Sequence, residues 1–209
     1  MNVTYRLSLS LIALLVVAVS GPVIARAGGY PEAAEKLLGT DPLVADTNGD
    51  GIKDTDQPKP LEMADPIAQG GNPGGFSITS AIVENNEDPV THKAASDHIE
   101  IVMANTGGAD IKGVATFITL KDVVTGATEN YYRKLAGFKI ARGASSTLHF
   151  EPKGSLDATA ETDRFRFNPN SALYRTPNEK SVEIEVSVPG FAPAKIAIKK
   201  DKGRAEIAD

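Results

Sequence analysis

The 209-residue chain carries 22 Lys and Arg against 27 Asp and Glu, a net charge of −5, with no cysteine and no tryptophan. The acidic balance argues against a protein whose main task is to bind nucleic acid, and the lack of cysteine excludes disulfides, thiolate metal centres and cysteine nucleophiles. With 41% hydrophobic residues, a wholly disordered chain is excluded too.

Residues 1–27 read as a signal peptide. Arg6 and the amino terminus supply a small positive region, and Leu7 to Val19 is an apolar run broken only by Ser8 and Ser10. Such a run suits a secretory signal and falls short of the ~20 residues of a bilayer span. Ser20-Gly21-Pro22 breaks it, and Ala25-Arg26-Ala27 predicts cleavage before Gly28, with Val23-Ile24-Ala25 as a second candidate site. No later stretch is long and apolar enough to span a membrane. The chain is therefore expected to be exported, periplasmic or extracellular.

Residues 28–69 form an acidic segment. Gly28 to Gly75 holds nine acidic and three basic residues, so most of the excess negative charge lies there. Pro31 to Leu38 predicts a short helix, with Pro31 at its first position, Glu32 and Glu35 near its positive end and Gly39 as its stop. Next comes Asp46-Thr47-Asn48-Gly49-Asp50-Gly51-Ile52-Lys53-Asp54-Thr55-Asp56. Asp46, Asn48, Asp50, Asp54 and Asp56 place five oxygen-bearing side chains in eleven residues, and Gly51 permits a sharp turn. Calcium takes six to eight oxygen ligands in irregular geometry. Zinc and copper are poor candidates here for want of nitrogen or sulfur donors, and magnesium demands a tighter octahedron. The metal-free alternative is an Asx-rich turn held by local hydrogen bonds.

The pattern D-x-[DN]-x-D-G-x-x-D-x-D resembles the short bacterial form of the thrombospondin type 3 calcium repeat, over about residues 39–57, with Gly39-Thr40-Asp41-Pro42-Leu43 similar to its lead-in. That resemblance implies Asp46, Asn48, Asp50 and Asp54 as side-chain ligands of Ca2+, the carbonyl of Ile52 as a further one, and Asp56 as another. An EF-hand is rejected. Its twelfth position, a bidentate Glu, is Gln57 here, and Lys53 stands where it has a hydrophobic residue.

Gly70-Gly71-Asn72-Pro73-Gly74-Gly75 reads as a flexible linker, residues 70–75, uncoupling the acidic segment from a domain that folds alone. Residues 76–200 alternate in short runs: Phe76 to Ile82, Ile99 to Met103, Val114 to Leu120, Tyr131 to Phe138, Thr147 to Phe150, Phe165 with Phe167, Val182 to Val188, and Ile196 with Ile198. Turn markers separate them, and no sustained helical period occurs. About eight strands at this spacing predict an all-β sandwich or barrel. Residues 201–209 are a charged tail.

Ile99 to Gly107 followed by Ala109-Asp110-Ile111 resembles the N-T-G-x-A-D turn of bacterial immunoglobulin-like domains, including CARDB-type adhesion modules. This implies an immunoglobulin-like β-sandwich and transfers no function.

His92, His98 and His149 show no metal-ligand spacing along the chain, and His98, after Ser96-Asp97, reads as a surface residue on a solvent-facing strand position. Without a G-x-S-x-G elbow, a Ser/His/Asp hydrolase is not supported. Tyr131-Tyr132-Arg133-Lys134, Lys139, Arg142, Arg164 and Arg166 could present an anionic or sugar partner with a surface. The simpler reading is charge on edge strands, with Phe165 and Phe167 in the core. The chain is thus expected to be a non-catalytic, calcium-binding exported protein whose sandwich meets a protein or glycan at the cell surface, in adhesion or assembly. The alternative is a carbohydrate-binding or enzyme-accessory module, using Tyr131, Tyr132 and Tyr174 as an exposed platform.

Overall fold

The structure, a computed structural model, describes residues 29–83 and 98–202. The expected signal peptide, His92, Ser96-Asp97 and the tail from Gly203 lie outside the described residues.

Among the described residues eight strands form: β1 (Phe76–Val83), β2 (Ile99–Asn105), β3 (Val114–Asp122), β4 (Thr128–Leu135), β5 (Ser145–Glu151), β6 (Arg164–Arg166), β7 (Lys180–Ser187) and β8 (Ala194–Lys200). They make two four-stranded sheets, ordered β1-β2-β5-β6 and β4-β3-β7-β8. All pairings are antiparallel except the short β5–β6 edge. The chain changes sheet between β2 and β3, β4 and β5, and β6 and β7. The protein is therefore an all-β, immunoglobulin-like sandwich of the Greek-key kind. Among the described residues no helix is long and apolar enough to cross a membrane.

Period-two alternation explains the core. Ile99, Ile101 and Met103 on β2 are fully buried, as are Leu148 and Phe150 on β5. They meet Ile118, Leu120, Val182, Ile184 and Val186 of the other sheet in one cluster. Each such side chain contributes about 1.5–3 kcal/mol by leaving water, and Ile101→Ala would cost about 2–5 kcal/mol by opening a cavity. Phe165 and Phe167 are buried at 3% exposure while Arg164 of the same edge is exposed, the arrangement the alternating sequence implied.

Three local features depart from the sequence reading. Strand β4 begins at Thr128 and ends at Leu135, because it pairs with β3 from Lys121 through Val114. A four-residue helix, α2 (Ala172–Arg175), follows β6. It is too short to show a period, and tertiary partners hold it. Ser171 Oγ accepts from Leu173 N, and Glu129 of β4 accepts from Ala172 N at 3.0 Å and from Ser171 Oγ at 2.6 Å. Ahead of the sandwich, α1 (Glu32–Leu38) forms as expected. Pro31 is its N-cap rather than its first residue, and the Gly39 N–H closes it on Glu35 O at 2.8 Å.

Residues 70–75 do not run free. Asn72 N donates to Gly190 O at 3.1 Å, and Ala192 N donates to Asn72 O at 2.9 Å. A Cβ on Gly75 would lie 2.1 Å from the Phe191 ring, so the glycine lets the backbone press onto an aromatic. The acidic segment is likewise fastened to the sandwich. Asn130 N donates to Leu61 O at 2.7 Å, Gln69 Nε2 to Glu185 Oε1 at 2.7 Å, and Asn168 Nδ2 to Gly39 O at 2.6 Å. The uncoupling expected from sequence rests on the Gly- and Pro-rich stretch and on the charge and aromatic boundary beside it, and none of these encodes the long-range bonds.

Candidate functional site

The acidic loop is built from Asx turns. Asp46 accepts from Gly49 N at 2.7 Å with one oxygen and from Gly51 N at 2.8 Å with the other. Asn48 Oδ1 accepts from Asp50 N at 3.0 Å, and Asp50 Oδ1 from Ile52 N at 2.7 Å. Each short side chain stays close to its own backbone, as these residue types favour. Asp54 N donates to Ala45 O at 2.8 Å and closes the base of the loop. Gly49 and Gly51 sit at φ 85° and 90°, where a Cβ is disfavoured. A Cβ on Gly49 would also stand 2.1 Å from Tyr132 O, whereas one on Gly51 would meet open space.

Asp54 is fully buried, and its two oxygens accept from Thr47 N at 2.9 Å and Thr47 Oγ1 at 2.7 Å. Burial pushes its carboxyl above the usual range, and the charges of Glu35 and Asp46 push the same way, against the Thr47 hydrogen bonds. Negative charge is thus concentrated at the base of the loop. Asp56, on a single 3-10 turn (Asp54–Asp56), and Ile52 lie exposed at the rim. The Ile52 carbonyl accepts from Gln57 Nε2 at 3.3 Å.

Arg133 of β4 supplies a protein cation beneath this loop. Its Nη2 donates to Thr47 O at 2.6 Å and its Nη1 to Tyr132 O at 2.8 Å, while Tyr132 N donates to Asn48 O at 2.7 Å. Burial lowers the Arg133 pKa, and the charges of Asp46, Asp41 and Asp54 resist that shift. One arginine of the basic-aromatic stretch is therefore spent inside the molecule, on main-chain carbonyls near the acidic loop.

The loop offers hard oxygen donors of the kind calcium takes, four carboxylates, an amide and a main-chain carbonyl. Among the described residues, no three of its carboxylates bring oxygens within 4.8 Å of one another. Hydrogen bonds to main-chain N–H groups leave each carboxylate oxygen a further lone pair for a cation. The donor chemistry thus fits calcium, and Asp46, Asn48, Asp50, Asp54 and Asp56 with the Ile52 carbonyl are the residues that would hold it.

A second cluster escaped the sequence reading. Register places Glu100 of β2 directly opposite His149 of β5, and His98, two residues before Glu100, falls on the same face. Glu100 Oε2 lies 3.5 Å from His149 Nε2 and 4.0 Å from His98 Nε2. The imidazole centroids are 5.6 Å apart. His98 is not a surface histidine in the sense expected, since its side chain is only 16% exposed against this neighbour. Alternation alone puts His98 and Glu100 together. Only the β2–β5 pairing brings in His149, and no spacing along the chain could reveal that.

The three tyrosines of the sugar-platform alternative do not form an exposed row. Tyr131 is buried at 1% exposure, its ring 4.7 Å from that of Phe167 and its hydroxyl donating to Glu129 Oε2 at 2.7 Å. Burial, then the Glu129 charge, raises the Tyr131 phenol well above its ordinary pKa. Tyr174 is buried too, and Tyr132 is half-buried.

No family model matches the chain, and no curated protein matches it in sequence. Solved structures share parts of its shape. A β-glucuronidase from Bacteroides uniformis is 10% identical over 61% of this chain and 14% of its own, with a TM-score of 0.37. The sporulation control protein Spo0M from Bacillus subtilis is 12% identical over 63% of this chain and 50% of its own, at 0.31. The putative ApaA protein from Bordetella pertussis is 12% identical over 63% of this chain and 94% of its own, at 0.31. The chain spans about a seventh of the glucuronidase and half of Spo0M, and at these scores the likenesses carry no functional argument.

Proposed function

We propose that this is an exported, non-catalytic, calcium-binding protein whose immunoglobulin-like sandwich is an interaction module for a protein or glycan at the cell surface. The observation that carries the reading is the buried Asp54 at the base of an oxygen-rich loop, beside the like charges of Glu35 and Asp46. A divalent cation held by Asp46, Asn48, Asp50, Asp54, Asp56 and the Ile52 carbonyl would relieve that repulsion, as calcium does in carboxylate-rich loops. The apolar run and the A-x-A site near the amino terminus support export. No nucleophile or paired carboxylates in a catalytic frame emerge from the sequence, which supports a binding rather than a chemical role.

Because the loop is hydrogen-bonded to β4, cation binding should stabilise the whole molecule and not the loop alone. Thermal unfolding of EDTA-stripped protein, with and without millimolar calcium, tests this. A melting temperature that rises with calcium and not with magnesium supports the reading. An unchanged melting temperature opposes it.

A further inference from the structure

We propose that His98, Glu100 and His149 form a binding site for one divalent transition-metal ion of the zinc class, on the outer face of the β1-β2-β5-β6 sheet. The site is chemically and spatially distinct from the acidic loop. Its donors are two imidazoles and a carboxylate, the set that suits zinc, nickel, cobalt and copper rather than calcium or magnesium.

The geometry is close to that of a bound state. All three ligand atoms lie within 4.8 Å of one another. Two ligands of a tetrahedral zinc at about 2.0–2.1 Å stand roughly 3.3–3.4 Å apart. The pair from Glu100 to His149 is already at 3.5 Å, and that from Glu100 to His98 at 4.0 Å. The first pair therefore needs a shift of about 0.1–0.2 Å and the second about 0.6–0.7 Å, while the two imidazole nitrogens, within 4.8 Å of each other, can be drawn together by side-chain rotation. Antiparallel pairing through Ile99↔Phe150 and Ile101↔Leu148 fixes the two strands on either side of the cluster, so the ligands stand on rigid elements.

A separate feature concerns His149. Its Nδ1 is buried without a hydrogen-bond partner among the described residues. The carboxylate of Asp163 stands close by, Oδ2 at 3.9 Å, on a residue whose main-chain carbonyl already accepts from His149 N at 2.7 Å. Metal ligands of this type hold the distal imidazole N–H on a carboxylate, which fixes the tautomer and frees Nε2 for the ion. Asp163 is placed for that role, making it a positioning residue rather than a ligand. The neighbouring cation, Arg164, is drawn off to Glu151 at 2.9 Å and does not occupy the carboxylate of Glu100. Three protein ligands leave a fourth position for water or an outside donor.

Calorimetric titration of zinc chloride into untagged, EDTA-stripped protein tests the proposal, with calcium present to fill the acidic loop. One zinc should bind per chain. His149→Ala, His98→Ala and Glu100→Gln should each weaken it by at least about tenfold, and Asp163→Asn by about tenfold. Asp50→Ala in the acidic loop should bind zinc as the native chain does. Should the histidine variants fold poorly, proton NMR of the native chain gives an independent readout, because zinc must move the ring signals of both His98 and His149. No zinc heat in the native protein, undiminished binding in Glu100→Gln, or unmoved histidine signals would each overturn the site.

Discussion

Arg166 holds Asp41 with two parallel bonds, Nε to Oδ2 at 2.8 Å and Nη2 to Oδ1 at 3.0 Å, and the Asp41 side chain is only 2% exposed. This bidentate pair ties the residues just ahead of the acidic loop to the edge strand β6. Removing one partner strands a buried charge, so Arg166→Ala should cost about 3–5 kcal/mol in chemical denaturation. An Arg166→Lys replacement should recover only part of that, because a lysine cannot make the two-pronged contact.

Truncation gives a broader form of the same prediction. A chain beginning at Gly75 loses the partners of Arg166, Asn168, Asn130 and Arg133. Sequence reasoning expected such a chain to fold alone and to melt cooperatively with or without calcium, independently of the acidic segment. The docked segment predicts instead a melting temperature lower by well over 10 °C, since several buried polar groups would be left unpaired. Calorimetry on the two chains decides between these outcomes.

The two loop glycines should respond differently. Gly51→Ala introduces left-handed strain alone, about 1–2 kcal/mol. Gly49→Ala adds a clash with Tyr132 O and so should cost distinctly more, while also breaking the contact between the loop and β4. Equal losses in urea denaturation would mean that the loop does not rest on Tyr132.

Acid should weaken the far end of the second sheet. Burial alone would raise the Asp122 carboxyl, but hydrogen bonds from Thr125 N and Asn178 and the adjacent Lys180 ammonium hold it well below the usual carboxylate range. The ion pair, 3.1 Å long, has side chains 2% and 0% exposed. A lowered native pKa means that the unfolded chain binds the proton more tightly. This stabilisation is therefore full above pH 3.8, the ordinary aspartate value, and drains away as the pH falls below it. Asp122→Asn should flatten that part of the stability–pH curve, and Asp122→Ala should cost about 3–5 kcal/mol at neutral pH by leaving the buried Lys180 ammonium without its counter-charge.

The strands and their inward residues were legible because burial enforces a period of two. Ile99, Ile101 and Met103 alternate in sequence and are all buried in the structure. The acidic loop was legible as a local oxygen-rich turn because its donors lie within eleven residues. What stayed hidden depends on register and on distant partners: α2 on Glu129, the loop on Arg133, Asp41 on Arg166, and His98 with His149. In each case residues far apart in the chain meet through strand pairing or docking, and no local pattern encodes the meeting.

Export predicts a mature chain beginning at Gly28, since small residues occupy the two positions that signal peptidase reads, Ala25 and Ala27. Mass spectrometry of the exported protein should give that terminus. Retention of Met1 in the protein outside the cytoplasm would contradict it.

Isothermal titration of calcium into EDTA-stripped protein, run beside Asp50→Ala and Lys53→Ala, tests the central claim most directly. The native chain should bind calcium with a Kd of about 10⁻⁴–10⁻³ M, the range of extracellular modules. Asp50→Ala should lose binding, because it removes a central donor and keeps both loop glycines. Lys53→Ala should bind at least as well as the native chain, because its exposed side chain offers calcium no donor. Absence of calcium heat at millimolar concentration, or equal binding by Asp50→Ala, would contradict the account and leave the loop as an Asx turn fastened by Arg133.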